Sequence, residues 1–123
     1  MKLFLCEKPS QAKDIAVHVG AKSRGDGCFS GDGVIVTWAI GHLVEQANPE
    51  HYNPALSTWN IDLLPIVPAE WVLEVKDKTK AQYKIVSGLI KKATEIVVAT
   101  DADREGEVIA RELMQLSNYR GKV

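Results

Sequence analysis

Residues 95–107 read EIVVATDADREGE, and within them Asp101, Asp103, Glu105 and Glu107 stand at alternate positions. Carboxylates crowded this way repel one another, and a bound cation is the simplest relief. Mg²⁺ suits the set, because it takes one or two carboxylates and completes its shell with water and substrate phosphate oxygens. Glu7 and Lys8, an acid beside a cation, form a second chemical pair. A structural reading stands beside the metal one. Asp103 can be a helix N-cap, with Glu105 and Glu107 as first-turn acids on the positive end of the helix dipole. Both can hold at once, with Asp101 and Asp103 on the metal and the glutamates nearer the helix start.

The elements that position these groups follow from the apolar pattern. Ile96, Val97 and Val98 form a short run of the kind that makes a buried parallel strand. From Arg104 the chain reads as a helix, with Val108, Ile109, Leu113 and Leu116 at the spacing of one buried face. The acids then sit at the carboxyl end of a strand, where open α/β sheets place their ligands. Residues 2–6 are a second apolar strand, followed by Glu7-Lys8-Pro9-Ser10. Ser10 is a candidate N-cap for a helix carrying Ala12, Ile15, Ala16 and Val19, which stops at Gly20. Strand, polar turn and helix open a βαβ-type unit. Neighbouring strand ends in a parallel sheet bring Glu7 within reach of the acidic cluster.

Between these two units the signals are weaker. Residues 21–33 read as turns with one short strand at 28–30. Residues 34–39 follow the turn pair Asp32-Gly33 and predict a hairpin, ended by Gly41-His42-Leu43. His18, His42 and His51 show no metal-ligand spacing. Residues 48–68 contain Pro49, Pro54, Pro65 and Pro68 and are expected to form an irregular connection packed over the core. Residues 71–75 alternate as a strand. Residues 79–93 predict a helix burying Ile85, Val86, Leu89 and Ile90, with an outer face of solvated lysines.

The chain has 123 residues, 46% hydrophobic and 25% charged, which fits one soluble domain with its own core. A net charge of −1 argues against a strong nucleic-acid module acting by charge alone, so any such contact is local or depends on other domains. Cys6 and Cys28 give no disulfide framework, and Cys6 is expected in the core. No stretch has membrane length and no signal peptide is visible, which predicts a cytoplasmic protein.

Three separated motifs, CEKPSQAKDIA, AIGHLVE and ATDADREGEVIARE, resemble the Toprim domain of type IA DNA topoisomerases. The EKPS form and the LPIVPAEW segment are similar to the bacterial topoisomerase III branch. The resemblance covers essentially all of residues 1–123 as one Toprim domain. It implies a Rossmann-like fold, a mainly parallel sheet flanked by helices, with an inserted β-hairpin. It implies Mg²⁺ at Asp101, Asp103 and Glu105, Glu7 at the scissile phosphate, Lys8 as a phosphate contact, and Arg104 as a phosphate or nucleotide contact. Two positions depart from the family pattern: Cys6, where alanine is more frequent, and Gln11, where leucine is common. Neither is expected to touch a polar site position.

The same resemblance implies an enzyme that cuts and rejoins a single DNA strand through a tyrosine joined to the 5′ phosphate. Tyr52, Tyr83 and Tyr119 lie in no matching motif, so that tyrosine is expected in a later domain. The chain is accordingly expected to be the N-terminal piece of a larger bacterial, nucleoid-associated enzyme and inactive alone. Its implied partners are single-stranded DNA and the remaining domains of the parent, with no membrane. Two rival readings remain: another Toprim enzyme (nuclease, primase or reverse gyrase), or a non-catalytic nucleotide-binding module whose acids are only caps.

Overall fold

The apolar run that opens the chain becomes the middle strand of the molecule. In the computed structural model, which describes residues 1–123, β1 (Lys2–Cys6) lies between β4 (Val34–Trp38) and β7 (Glu95–Ala99). It runs parallel to both, with Cys6 in register with Trp38 on one side and Ala99 on the other. β2 (Ser23–Gly25) and β3 (Cys28–Ser30) extend the sheet beyond β4 as an antiparallel meander, giving the order β2-β3-β4-β1-β7. The three parallel strands finish at one end, so the residues that follow β1 and β7 leave the sheet side by side.

Side chains alternate across a strand, and β1 uses both faces. Leu3 and Leu5 enter a core with Val86, Ile90, Ile96, Ile109 and Leu113, while Cys6 enters a smaller one with Ala12, Ala16, Ala21 and Val36. α1 (Pro9–His18) covers the smaller core through Ala12 and Ala16, four residues apart on one helix face. α3 (Lys80–Lys92) and α4 (Arg104–Leu116) cover the larger one. The result is an α/β fold with a mainly parallel central sheet flanked by helices, as the sequence leads one to expect. Burial pushes the Cys6 thiol up to about 12, so it behaves as a small core residue.

At the amino end of the sheet, Glu95 receives Lys122 at 3.0 Å and Lys2 at 3.3 Å. Hydrogen bonds from Lys122 and then Lys2 hold its carboxyl below the usual carboxylate range. The Ile96 N–H donates to the Lys122 carbonyl at 2.9 Å, so residue 122 pairs with the outer side of β7.

The elements differ from expectation in four places. α1 starts two residues early: Lys8 is its N-cap, Pro9 fills the first helical position and Ser10 lies inside the first turn. Proline suits that position because its fixed φ is helical and its missing N–H had no partner there. A second short pairing, β5 (Val44–Gln46) with β6 (Leu73–Val75), forms a small antiparallel sheet, and β2 is likewise a strand that the turn-rich reading passed over. The connection through residues 48–68 holds one short helix, α2 (Pro49–Tyr52), and two single 3₁₀ turns, and it is not a core cover. Trp59 is 84% exposed, Ile61 73% and Val67 76%, and only scattered residues such as Tyr52, Leu56, Leu63 and Ile66 are half-buried, as befits a proline-interrupted segment without a continuous apolar face. Within α4, Val108 faces outward, and Gly106, Ala110 and Met114 share the buried stripe with Ile109 and Leu113. No helix is long and apolar enough to cross a membrane.

Candidate functional site

Chain geometry at the carboxyl end of β1 and β7 brings together groups that are far apart in sequence. Lys8 is extended, with φ −133° and ψ 151°, before Pro9 turns the chain into α1. The Asp101 N–H donates to Glu7 Oε2 at 3.2 Å. Lys8 Nζ lies 3.3 Å from Asp101 Oδ2. The Lys8 side chain is 58% exposed, and an ion pair in water contributes about 0–1 kcal/mol. Such a pair opens readily, so Lys8 is available to a phosphate that competes for it.

Gln11 joins this cluster, contrary to expectation. Its Nε2 donates to Asp101 Oδ1 at 3.1 Å, and its Oε1 accepts the Glu7 N–H at 2.9 Å. One turn of α1 carries the amide back over the loop that holds Glu7. The residue that departs from the family pattern thus bridges the two strand ends. A period-based reading could have found the i to i+4 link to Glu7, but not the contact across 90 residues to Asp101.

The start of α4 organises the other acids. Asp103 Oδ1 accepts the Gly106 N–H at 2.7 Å, an N-cap, while Oδ2 has no protein partner. Thr100 Oγ1 donates to the Gly106 carbonyl at 2.9 Å. Gly106 is required here: a Cβ at this position would collide with the Asp101 carbonyl oxygen, so the first turn of α4 can close onto the loop only without a side chain. Asp101, Asp103, Arg104 and Glu107 line a cavity of about 800 Å³, with Thr100, Val98 and Val108 on its walls. Arg104 forms no ion pair there, whereas Glu107 is held by Arg111 Nε at 2.7 Å.

Glu105 points elsewhere. Its Oε1 lies 3.3 Å from His42 Nε2, and His42 Nδ1 lies 3.5 Å from Glu112 Oε2. That last contact has ion-pair distance without hydrogen-bond geometry, leaving buried Glu112 Oε2 unbonded. The central motif GHL therefore reaches the acidic helix through His42. Sequence spacing gave no sign of this partnership, because His42 and the glutamates of α4 are far apart in the chain. No three His, Cys, Asp or Glu side chains converge as a ready-made metal cage. The donors around the cavity nevertheless fit Mg²⁺, being hard carboxylate and hydroxyl oxygens without thiol or imidazole. That ion needs only one or two carboxylates from protein.

Comparison with known proteins identifies the family and agrees with the fold. The family model described as Toprim domain matches residues 2–123. A DNA topoisomerase 3 of Staphylococcus epidermidis is 47% identical over 114 residues, covering 91% of this chain and 16% of the relative. One from Haemophilus influenzae is 42% identical over 120 residues, covering 96% of this chain and 18% of the relative. One from Shouchella clausii is 41% identical over 124 residues, covering 99% and 17%. The chain thus spans about a sixth of the length of the relatives it matches.

Proposed function

This chain belongs to the Toprim domain family, and from that premise we propose that it is the Mg²⁺-binding Toprim domain of a type IA DNA topoisomerase of the topoisomerase III kind. In this reading residues 1–123 form one domain of an enzyme that cuts and rejoins a single DNA strand. The observation that carries it is the meeting of Glu7, Lys8 and Asp101 across adjacent parallel strands, beside a cavity lined by Asp103 and Arg104. An acid, an exposed lysine, an unpaired arginine and hard oxygen donors are what transfer of a phosphoryl group asks for.

Asp101 and Asp103 would hold Mg²⁺, with Glu105 as a further ligand once it leaves His42. The ion would supply charge to the phosphate oxygens. Lys8 and Arg104 would bind and orient the phosphate. A tyrosine outside this chain would attack phosphorus after releasing its proton to water, forming the 5′-phosphotyrosyl bond. The bond to the 3′ oxygen breaks, and Glu7 would give that oxygen a proton and retrieve it on rejoining. The tyrosines of this chain are occupied otherwise. Tyr52 Oη accepts the Val72 N–H, Tyr119 Oη donates to the Lys122 carbonyl, and Tyr83 packs against the core.

The test is cleavage of a labelled single-stranded oligonucleotide, read on a denaturing gel. In the full-length enzyme, Glu7→Gln is expected to reduce cleavage and rejoining by roughly 10²–10⁴-fold, the usual worth of positioned proton transfer. The 123-residue chain alone is expected to give no covalent adduct. An adduct formed by this chain, or full activity in Glu7→Gln, overturns the assignment.

A further inference from the structure

A second groove lies on the other side of β1 from the acidic cavity, between the start of α1 and strands β2 to β4. It encloses about 390 Å³ and is lined by Pro9, Ser10, Lys13, Arg24, Phe29 and Trp38. Its lining carries two cations and no carboxylate, although the whole chain has a net charge of −1. Neither Lys13 nor Arg24 forms an ion pair. The rings of Phe29 and Trp38 stand 5.5 Å apart at 44°, half-buried, so each keeps part of its surface open. The Trp38 carbonyl accepts Gln82 Nε2 at 2.8 Å, and β4 is paired on both sides, which fixes the backbone that carries the indole.

We propose that this groove binds single-stranded DNA, the phosphates at Lys13 and Arg24 and a base against the Phe29–Trp38 pair. Rings that accept any base, flanked by unpaired cations, are the recurring means of holding a single strand. Continuity supports the assignment. Pro9 and Ser10 follow Lys8 directly, and Trp38 is the register partner of Cys6, so the groove opens beside Glu7 and Lys8. Strand order sets Lys8 between this groove and the acidic cavity, so a strand lying across the carboxyl edge of the sheet meets all three. The alternative is that the two rings only complete the hairpin core. It accounts for their packing against the smaller core, but not for a groove whose charged lining is cationic alone in a chain of net charge −1.

This proposal rests on the reading of the chain as part of a DNA strand-cutting enzyme, and the test separates the two. The 123-residue chain is titrated with a short oligothymidylate at several salt concentrations and followed by NMR. Shifts are expected at Lys13, Arg24, Phe29 and the Trp38 indole N–H, with weaker response to a duplex of equal length and to inorganic phosphate. The double variant Lys13→Ala/Arg24→Ala should lower the slope of log K against log salt by about 1.4, from two lost phosphate contacts. Trp38→Ala should weaken binding roughly tenfold, while Trp38→Phe retains most of it. If Trp38→Ala does not fold, the salt slope decides. Oligonucleotide shifts confined to Lys8, Asp101 and Arg104, with an unchanged slope, overturn the groove and leave the enzyme reading intact. Equal binding of duplex, or no binding, also overturns the groove. Groove binding without any Mg²⁺ response at Asp103 upholds the groove and removes the enzyme reading.

Discussion

At Gln11, one side chain holds the backbone N–H of one strand end and the carboxylate of the next. Leucine there has similar size but neither polar atom. Gln11→Leu is therefore expected to keep the fold and lower its stability by about 1 kcal/mol, because the freed groups are only partly buried and reach water. Urea denaturation measures the loss. Amide shifts at Glu7 and Asp101 should change together in the same variant. Unchanged stability with an unmoved Asp101 would mean that the bridge is not populated in solution. Asp103 illustrates a different division of labour: one oxygen caps α4 and the other faces the cavity without a protein partner. The structural and metal readings of that residue do not compete.

Helix α4 and the strand before it act as one unit, and Gly106 joins them. Helix propensity alone favours alanine over glycine by about 0.8–1.0 kcal/mol, yet Gly106→Ala puts a methyl into the Asp101 carbonyl. The variant is expected to be destabilised by about 1–3 kcal/mol through overpacking, with displacement of Asp101 from Lys8. Gly88, inside α3 with open space around it, is the control. Gly88→Ala should stabilise by about 0.5–1 kcal/mol. Thermal unfolding of the two variants decides, and equal effects of one sign would contradict the account. Elements with strong internal signals were legible in sequence. β1, β7 and the three long helices carry apolar runs or stripes that need no partner to be recognised. β6 was legible from the alternation of residues 71–75, whereas β5 is three residues long and shows itself only through its pairing with β6. The apolarity of residues 48–68 suggests a cover over the core, yet Trp59, Ile61 and Val67 within it stay exposed.

Over the whole molecule, the sheet does what neither motif can do alone. It carries Glu7-Lys8 and Asp101-Asp103 to the same edge because β1 and β7 are parallel and in register. That convergence was legible from strand-end placement. The diversion of Glu105 to His42 was not, since it depends on how the central segment packs against α4. The central claim is that this edge holds Mg²⁺ through Asp101 and Asp103, with Glu7 acting on the phosphate and not primarily as a ligand. The most direct measurement is an NMR titration of the chain with Mg²⁺, comparing the unaltered protein with Asp103→Asn and Glu7→Gln. Asparagine caps a helix as well as aspartate, so Asp103→Asn tests the metal without removing the cap. The account predicts weak, saturable shifts across residues 101–105 that vanish in Asp103→Asn and persist in Glu7→Gln. An unchanged Mg²⁺ response in Asp103→Asn, or a loss in Glu7→Gln as severe as in Asp103→Asn, would contradict it.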